Sequence, residues 1–463
     1  MSDYNFLMES RLSAEQFQLV NHLSRIATEQ GLNLYLVGGA VRDLTYGQQV
    51  IRDLDFAVEG NPEKILRRLG ARRAAPARPG RAPVGGAEVA GPQVDSTHFD
   101  SHLNLAKIRC ASGTRAELAM CRRETYVRPG RLPVVAPAAI FDDLKRRDFS
   151  VNAMAISLHP HSRGLLLDPT NGAADIDKHE LRALHSRSFS EDPSRIFRLF
   201  RLGLRLGFKP EERTRLWLES ALENRLWEQL DQVQQGRELH AILAEENPGR
   251  VLKMFAERGW LAGLDKKLAS ARIPYDGLTR IQSVARAVPG ADPFLVNFHC
   301  VVQKLSRGNQ ARLATKVLAH KKAIKRALRL EREARVLARV LGSPKVPLPS
   351  QVYGALSGQP QVLLVFLLAH YPQQKIQHRI KNYLSKVPQL RAKMPRAELQ
   401  AMGMKPGPAF DGILEQLFLD QLDGKIKTHQ QALKHLRVLA GLEPTPASPK
   451  KASAPQHSKK KKK

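Results

Sequence analysis

The stretch LYLVGGAVRDLTYGQQVIRDLDFAVEG, residues 34–60, decides how this chain is read. An apolar run, Leu34 to Val37, breaks into Gly38-Gly39, continues as AVRDLTYG, and returns at Ile51 to Val58 with Asp53 and Asp55 separated by one leucine. That order predicts a strand, a glycine turn, a short helix and a second strand. Alternate side chains of an extended chain share a face, so the two carboxylates stand a few ångströms apart and repel unless something positive lies between them.

A divalent cation answers that demand. Mg2+ takes oxygen ligands, commonly one or two carboxylates completed by substrate phosphates and water. Gly38 and Gly39 offer backbone N–H groups at a helix start where a triphosphate can approach closely, and Arg42 adds fixed positive charge. The pattern therefore points to a two-metal phosphoryl-transfer site, with in-line attack on an α-phosphate. Each piece alone has a plainer reading: a solvent-facing strand end for the aspartates, and a turn with an Arg-Asp ion pair for GGAVRD. Their order and tight spacing favour the site.

The rest of the chain narrows the partners. At 463 residues it is long enough for several domains, and a formal charge of +30 argues for a polyanion, nucleic acid first. Cys110, Cys121 and Cys300 show neither zinc-ligand spacing nor an even disulfide framework, which fits a reducing compartment. The N-terminus lacks the order of a signal peptide, and the longest apolar run, Val362 to Ala369, is too short to span a bilayer. The expectation is a cytoplasmic protein with no membrane partner; nothing in the sequence assigns an oligomeric state.

Along the chain, Phe17, Val20, Leu23 and Ile26 recur at helical spacing before Gly31, predicting a helix over about 13–30. Residues 72–93, rich in Ala, Arg, Pro and Gly, read as a flexible loop, extended to 97 in the domain assignment. Strand patterns resume at Leu103 to Arg109 and Ala116 to Met120, the latter carrying Glu117, and helical patterns dominate from Ala173 onward. The expected fold class is α+β, a head with a mixed β-sheet and helices followed by a long all-helical neck, body and tail. The expected domains are a head over 1–157, a neck over 158–270, a basic body over 271–442 and a disordered Lys-rich tail over 443–463.

Further motifs follow in order. GGAVRD with RDLDF resembles the first motif of the class II tRNA nucleotidyltransferase and poly(A) polymerase family, within the DNA polymerase β superfamily. DDLKRRDFSVNAMAISL (Asp142 to Leu158) resembles its RRDFTINAMA motif, departing at Ser150 and Val151, and LDPTNGAADI (Leu167 to Ile176) resembles the next, where Asp168, Gly172 and Asp175 shape the link to the neck. SEDPSRIFRLFRLGLRLGF (Ser190 to Phe208) resembles E-D-x-x-R. Segments 236–261 and 403–428 resemble the later neck and the C-terminal region of longer members.

The resemblance implies roles for particular residues. Arg147, with Asp148 beside it, is expected at the nucleotide sugar, and Asp192 with Arg195 at the base, selecting CTP and ATP without a template. Chemistry supports the base assignment: residues three apart on a helix share a face, a carboxylate accepts from an exocyclic amino group, and a guanidinium donates to ring acceptors. The plainer reading is a helix start with acids before arginines. Glu117 is a candidate third carboxylate at the metals, an exposed strand residue being the alternative. Arg122 to Phe141 sits where the family carries a flexible loop that helps switch between C and A.

Lys304 to Arg339 carries twelve basic side chains and two acids, Glu331 and Glu333. This predicts a helical surface for RNA phosphates, with Lys321, Lys322, Lys325, Arg326 and Arg329 as the expected contacts, reached by a tRNA acceptor arm and 3′ end. Aromatics are sparse there, so base stacking is not the expected mode. No His-Asp dipeptide marks a phosphohydrolase domain. The activity expected is Mg2+-dependent addition or repair of the tRNA 3′-terminal CCA from CTP and ATP. A CC-adding or A-adding enzyme and a poly(A) polymerase are alternatives within the class. A catalytically silent RNA-binding protein and a nucleotidyltransferase acting on a small molecule are rivals from outside it.

Overall fold

The computed structural model describes residues 3–71, 92–101, 104–111, 113–127, 133–318, 320–345 and 348–442. The expected tail, 443–463, and residues 72–91 of the expected loop lie outside them. The chain packs as two compact units: Met1–Gln282 with Asn297–Leu328, and Ser283–Val296 with Arg329 onward. The expected boundaries near 157 and 270 both fall inside the first unit.

The opening stretch folds as the glycine pair dictates. Helices α1 (Tyr4–Arg11) and α2 (Ala14–Glu29) lead into β1 (Asn33–Val37), then α3 (Gly39–Tyr46) and β2 (Leu54–Glu59), with α4 (Glu63–Ala71) after it. A capping box between Ser13 and Gln16 starts α2, and Gly31, at φ 63°, lies just past its end. Gln16 also donates to the Ile51 carbonyl at 2.8 Å, tying α2 to the approach of β2. The second strand starts later than the apolar run suggested, and Asp53 stands just before it.

Beyond the undescribed segment come β3 (Val94–Asp100), β4 (Leu105–Cys110), β5 (Arg115–Met120), β6 (Arg122–Thr125), β7 (Val134–Pro137), α5 (Ile140–Lys145), β8 (Ala155–Ser157) and β9 (Leu166–Leu167). Two sequence expectations are corrected here. Residues 94–97 are not loop but belong to β3, antiparallel to β4. In the connector expected at Arg122 to Phe141, β6 and β7 pair antiparallel from Arg122↔Pro137 to Thr125↔Val134, the backbone groups of the two segments satisfying one another.

Seven strands form one sheet in the order β3-β4-β5-β2-β1-β8-β9. Only β2 and β5 run parallel, in register Asp55↔Glu117, while Val37 faces Asp55 across the antiparallel β1–β2 pair. On the face that carries Asp55, Val37, Ala57 and Ala155 pack with Cys121 against Ile140 and Leu144 of α5. Glu59 accepts the Ile140 N–H at 2.8 Å, a carboxylate at the positive end of α5. That pins the helix delivering Asp143, Arg146 and Arg147 to the face of the aspartates. Phe149, Met154 and Ile156 are fully buried.

Helices α6 (Gly172–Asp177), α7 (Ser188–Glu191) and α8 (Ser194–Leu206) continue the first unit, followed by further helices including 232–243, 248–257 and 307–317. In the second unit, Leu399, Phe410, Leu414, Leu417, Ile426, Ala432 and Leu436 form a separate apolar core. Helix Gln361–His370 is buried from Val362 to Leu368. No single helix among the described residues is long and apolar enough to cross a membrane.

The LDPTNGAADI segment shows why its glycine is needed. Asp168 accepts from the N–H groups of Gly172 and Ala173 at 2.7 and 3.0 Å, and the α6 backbone comes so close to Ser150 that a Cβ on Gly172 would lie 2.2 Å from the Ser150 carbonyl oxygen. Backbone cannot yield as a side chain does. Gly172→Ala should therefore cost about 1–3 kcal/mol through overpacking, read as a lowered urea midpoint; an unchanged midpoint would refute the close approach.

Candidate active site

The turn after β1 is built around Gly38, at φ 69° and ψ −131°, a conformation that favours glycine. A Cβ there would lie 3.1 Å from Nη1 of Arg147 and 3.7 Å from Oδ2 of Asp55, so the missing side chain is what lets an arginine and a carboxylate meet at the turn. Gly39 opens α3. Arg42, one turn on, is buried: its guanidinium donates to Asp43 and, at 2.7 Å, to Asn152, with Nη2 also 2.7 Å from Asp43. Its charge is thus fixed beneath the turn by two partners.

Asp55 is partly buried on β2. Burial first, then the charges of Glu117 and Asp53, push its carboxyl up to about 6, although Arg147 and Arg42 pull the other way. Asp53 is exposed and paired with Arg115 at 3.0 Å, and Glu117 is paired with Lys107 at 2.9 Å. Among the described residues no set of three His, Cys, Asp or Glu side chains is gathered as a closed metal site. What stands here is an open set of hard oxygen donors, two of them turned toward cationic neighbours, around a carboxylate that its surroundings leave short of positive charge. Such a donor set suits a hard divalent cation.

Behind Asp55 lies a side chain that the motif reading passed over. Asp143 is buried and accepts from Arg146 at 2.6 Å, from Arg147 at 2.9 Å, and from the Arg122 N–H at 3.1 Å. Burial works to raise its pKa, but the guanidinium groups of Arg147 and Arg146 overcome this and hold it below the ordinary carboxylate range. Arg146 also donates to Glu124 at 2.8 Å, and Glu124 accepts the Tyr126 hydroxyl at 3.0 Å. The spacing of Asp143 to Arg146 and Arg147, three and four residues, was the available signal.

Asp192 and Arg195, the expected base readers, are placed differently from the helical expectation. Asp192 lies in the break between α7 and α8 with extended backbone, and only Arg195 is on α8. Asp192 is held by the Ser194 N–H at 3.1 Å and the Ser194 hydroxyl at 2.6 Å, and its Oδ2 stands 3.8 Å from Nε of Arg195. Arg195 donates to the Ser188 hydroxyl at 2.7 Å and to the Arg146 carbonyl at 2.8 Å, while its Nε, though buried, has no hydrogen-bond partner. A buried donor left this way costs about 1–3 kcal/mol, which a ligand acceptor would offset.

Asp148 points to the neck rather than to the turn. It accepts from the Phe149 N–H and from Asn152, and lies 3.5 Å from Arg198. Arg198 and Arg201 continue to Glu238, and Arg201 and Arg205 to Glu245, so a ladder of ion pairs joins α8 to helix Gln232–Leu243 and to the residue two positions past its end. These partners share no local pattern and were invisible in the sequence.

The raised Asp55 has a consequence for stability. An unfolded aspartate titrates near about 3.9, so folding binds a proton between that value and about 6. Stability therefore falls as pH rises through this window, and above it the whole cost of the charged carboxylate is present. Magnesium should raise the thermal midpoint at pH 8 by about 2–4 °C and hardly at all at pH 4.5. Asp55→Asn should remove the difference; equal shifts at both pH values would show that Asp55 is not the titrating group.

Comparison with known proteins follows the same geometry. Residues 34–182 match the Poly A polymerase head domain. The chain is 29% identical to the A-adding tRNA nucleotidyltransferase of Halalkalibacterium halodurans, covering 93% of this chain and 94% of that one. It is also 29% identical to the CC-adding tRNA nucleotidyltransferase of Deinococcus radiodurans, over 94% and 96%. With the A-adding tRNA nucleotidyltransferase of Geobacter sulfurreducens it shares 25% identity over 92% of its own length, but spans only 47% of that protein. The solved CCA-adding enzyme in apo form II superposes with a TM-score of 0.50 at 27% identity, over 95% of this chain and 99% of that one. Residues 34–182 thus carry a Poly A polymerase head domain, and over nearly its whole length the chain is similar to tRNA nucleotidyltransferases.

Proposed function

We propose that the protein is a template-independent tRNA nucleotidyltransferase that completes or repairs the 3′-terminal CCA, drawing on CTP and ATP. The observation that carries this reading is one connected construction: Asp55 beside the Gly38 turn and the Asp192–Arg195 pair are joined through Arg146, Arg147 and Asp143. A nucleotide whose phosphates lie at the turn and whose base lies at Arg195 would be held by one rigid piece of structure.

Asp53 and Asp55, with Glu117 beside them, would hold Mg2+, which when bound neutralises the triphosphate and activates the attacking RNA hydroxyl. Gly38 and Gly39 let phosphate oxygens approach the backbone, Arg42 supplies charge beneath them, and Arg147, reaching Gly38 from Asp143, faces the sugar and phosphates. Asp192 Oδ2 accepts from cytosine N4 or adenine N6, and Arg195 Nε donates to the adjoining ring nitrogen. Uracil and guanine present a carbonyl where the amino group belongs and leave Asp192 unpaired. Asp148 acts by fixing the RRDF segment to Asn152 and Arg198.

Lys321, Lys322, Lys325, Arg326 and Arg329 are exposed on helix Lys321–Gly342 and suit phosphates of the tRNA acceptor arm. Two of the twelve basic side chains serve the fold instead: Arg312 and Lys316 both bond Asp265. The buried free thiols of Cys110, Cys121 and Cys300 suit the reducing cytoplasm. A second reading, a split enzyme that adds only CC or only A, has support in the two nearly full-length relatives that bear those names.

The test supplies tRNAs ending before the first C, after C and after CC with CTP, ATP or both. Addition of all three residues is expected; arrest after CC, or action on CC ends alone, would establish the split activity, and long A tails a polymerase. Extension of none of them would sink the proposal. Asp55→Asn should lower extension by at least about a thousandfold, as loss of a metal ligand does when charge neutralisation dominates the barrier.

RNA binding is separable. Lys322→Ala with Lys325→Ala and Arg329→Ala should weaken tRNA binding and make the slope of log affinity against log salt shallower by about 0.7–0.9 per lost phosphate contact. An unchanged slope would remove this helix from the interface.

A further inference from the structure

One buried side chain touches the base-reading pair and has no part in the account above. Gln234, on helix Gln232–Leu243, is buried and donates from Nε2 to Oδ1 of Asp192 at 3.4 Å. The same oxygen receives the Ser194 N–H and the Ser194 hydroxyl. Three donors exceed the two lone pairs of one carboxylate oxygen, so Oδ1 is closed to any ligand. Oδ2, on the Arg195 side, remains.

We propose that Gln234 is a positioning residue for nucleotide choice, holding the Asp192 carboxylate so that Oδ2 and Nε of Arg195 stand side by side as an acceptor and a donor for the base. This rests on the reading of Asp192 and Arg195 as base readers. Asp192 and Arg195 are opposite charges 3.8 Å apart with no hydrogen bond between them. Left free to turn, the carboxylate would close onto Arg195 in a paired fork, and the groups meant for the nucleotide would satisfy each other. Donation from Gln234 and Ser194 on the far oxygen opposes that collapse.

The surroundings of Gln234 fit such a task. Its own N–H is fixed by Asp231 at 2.8 Å. Gln235, next in sequence, accepts from Lys316 at 2.6 Å, and a Cβ on Gly236 would lie 2.1 Å from the Lys316 carbonyl oxygen, so the helix start is clamped against helix Arg307–Val317. The amide cannot drift away from Asp192. Its other end, Oε1, is buried with no partner. An apolar side chain of the same size would fill this space without an orphaned carbonyl, so packing does not explain a glutamine here; donation to Asp192 does.

The experiment measures kcat and KM for CTP and for UTP in single-residue addition to a tRNA lacking its terminal residues, and equilibrium binding of both nucleotides without RNA. Gln234→Leu, and Gln234→Met as an unbranched substitute should the first not fold, should raise KM for CTP about tenfold and lower the CTP to UTP preference by a similar factor, with kcat at saturation falling far less. In an Asp192→Ala background the same change at Gln234 should add nothing, because its route to the nucleotide is gone. An unchanged CTP to UTP ratio in folded protein, a fall confined to kcat, or full additivity with Asp192→Ala would each overturn the proposal. Failure of the unaltered protein to prefer CTP over UTP in binding would instead bring down the base-reader assignment, and this inference with it. Extension of no tRNA alongside a clear CTP preference in binding would strike the proposed reaction alone and leave Gln234 to be judged by binding.

Discussion

The carboxylate of Asp143 is the constraint on which the head depends. It is buried under two arginines of a single turn, and neither arginine has the freedom of a surface side chain. Removing such a carboxylate would leave buried guanidinium charge uncompensated, the most costly way to break an ion pair. Because Arg146 and Arg147 are neighbours, one acid orients two opposite tasks. Arg147 is held toward Gly38 and Asp55, while the backbone of Arg146 presents its carbonyl to Arg195.

A second chain of polar contacts runs beside that centre. Asp43 and Arg42 connect through Asn152 to Asp148, then through Arg198 to Glu238, and along Arg201 and Arg205 to Glu245. A buried network of this kind is costly when half satisfied and stiff when complete. The head is therefore rigidly joined to the helix that carries Gln234. Two unpartnered atoms, Nε of Arg195 and Oε1 of Gln234, are exceptions that fall on either side of Asp192.

Much of this was legible along the chain. The strand, glycine turn, helix and strand around Gly38 were found where the apolar runs and the glycine pair put them, because turn chemistry and side-chain periodicity are local properties. The α+β division was equally visible. Errors came where pairing is non-local. Residues 94–97 read as loop because nothing in their own composition announces β4 as a partner, and β6 and β7 were hidden in a glycine- and proline-bearing connector for the same reason. Asp192 was placed on a helix by its spacing to Arg195, although Pro193 and the Asx-type contact to Ser194 hold it in the break.

By itself, the sequence determined the residue types that make the chemistry available: a glycine pair, two aspartates one residue apart, an acid and an arginine three apart, and an excess of positive charge. Tertiary structure alone decided which of those groups stand free and which are held. Arg42 and Asp148 prove to be anchored inward, Glu117 stands beside Asp55 through strand register, and Gln234 arrives at Asp192 from forty-two residues away. The physical reason is that the energy of a charge or an amide depends on its burial and its neighbours. Those are fixed by the packing of distant segments, which no local spacing encodes.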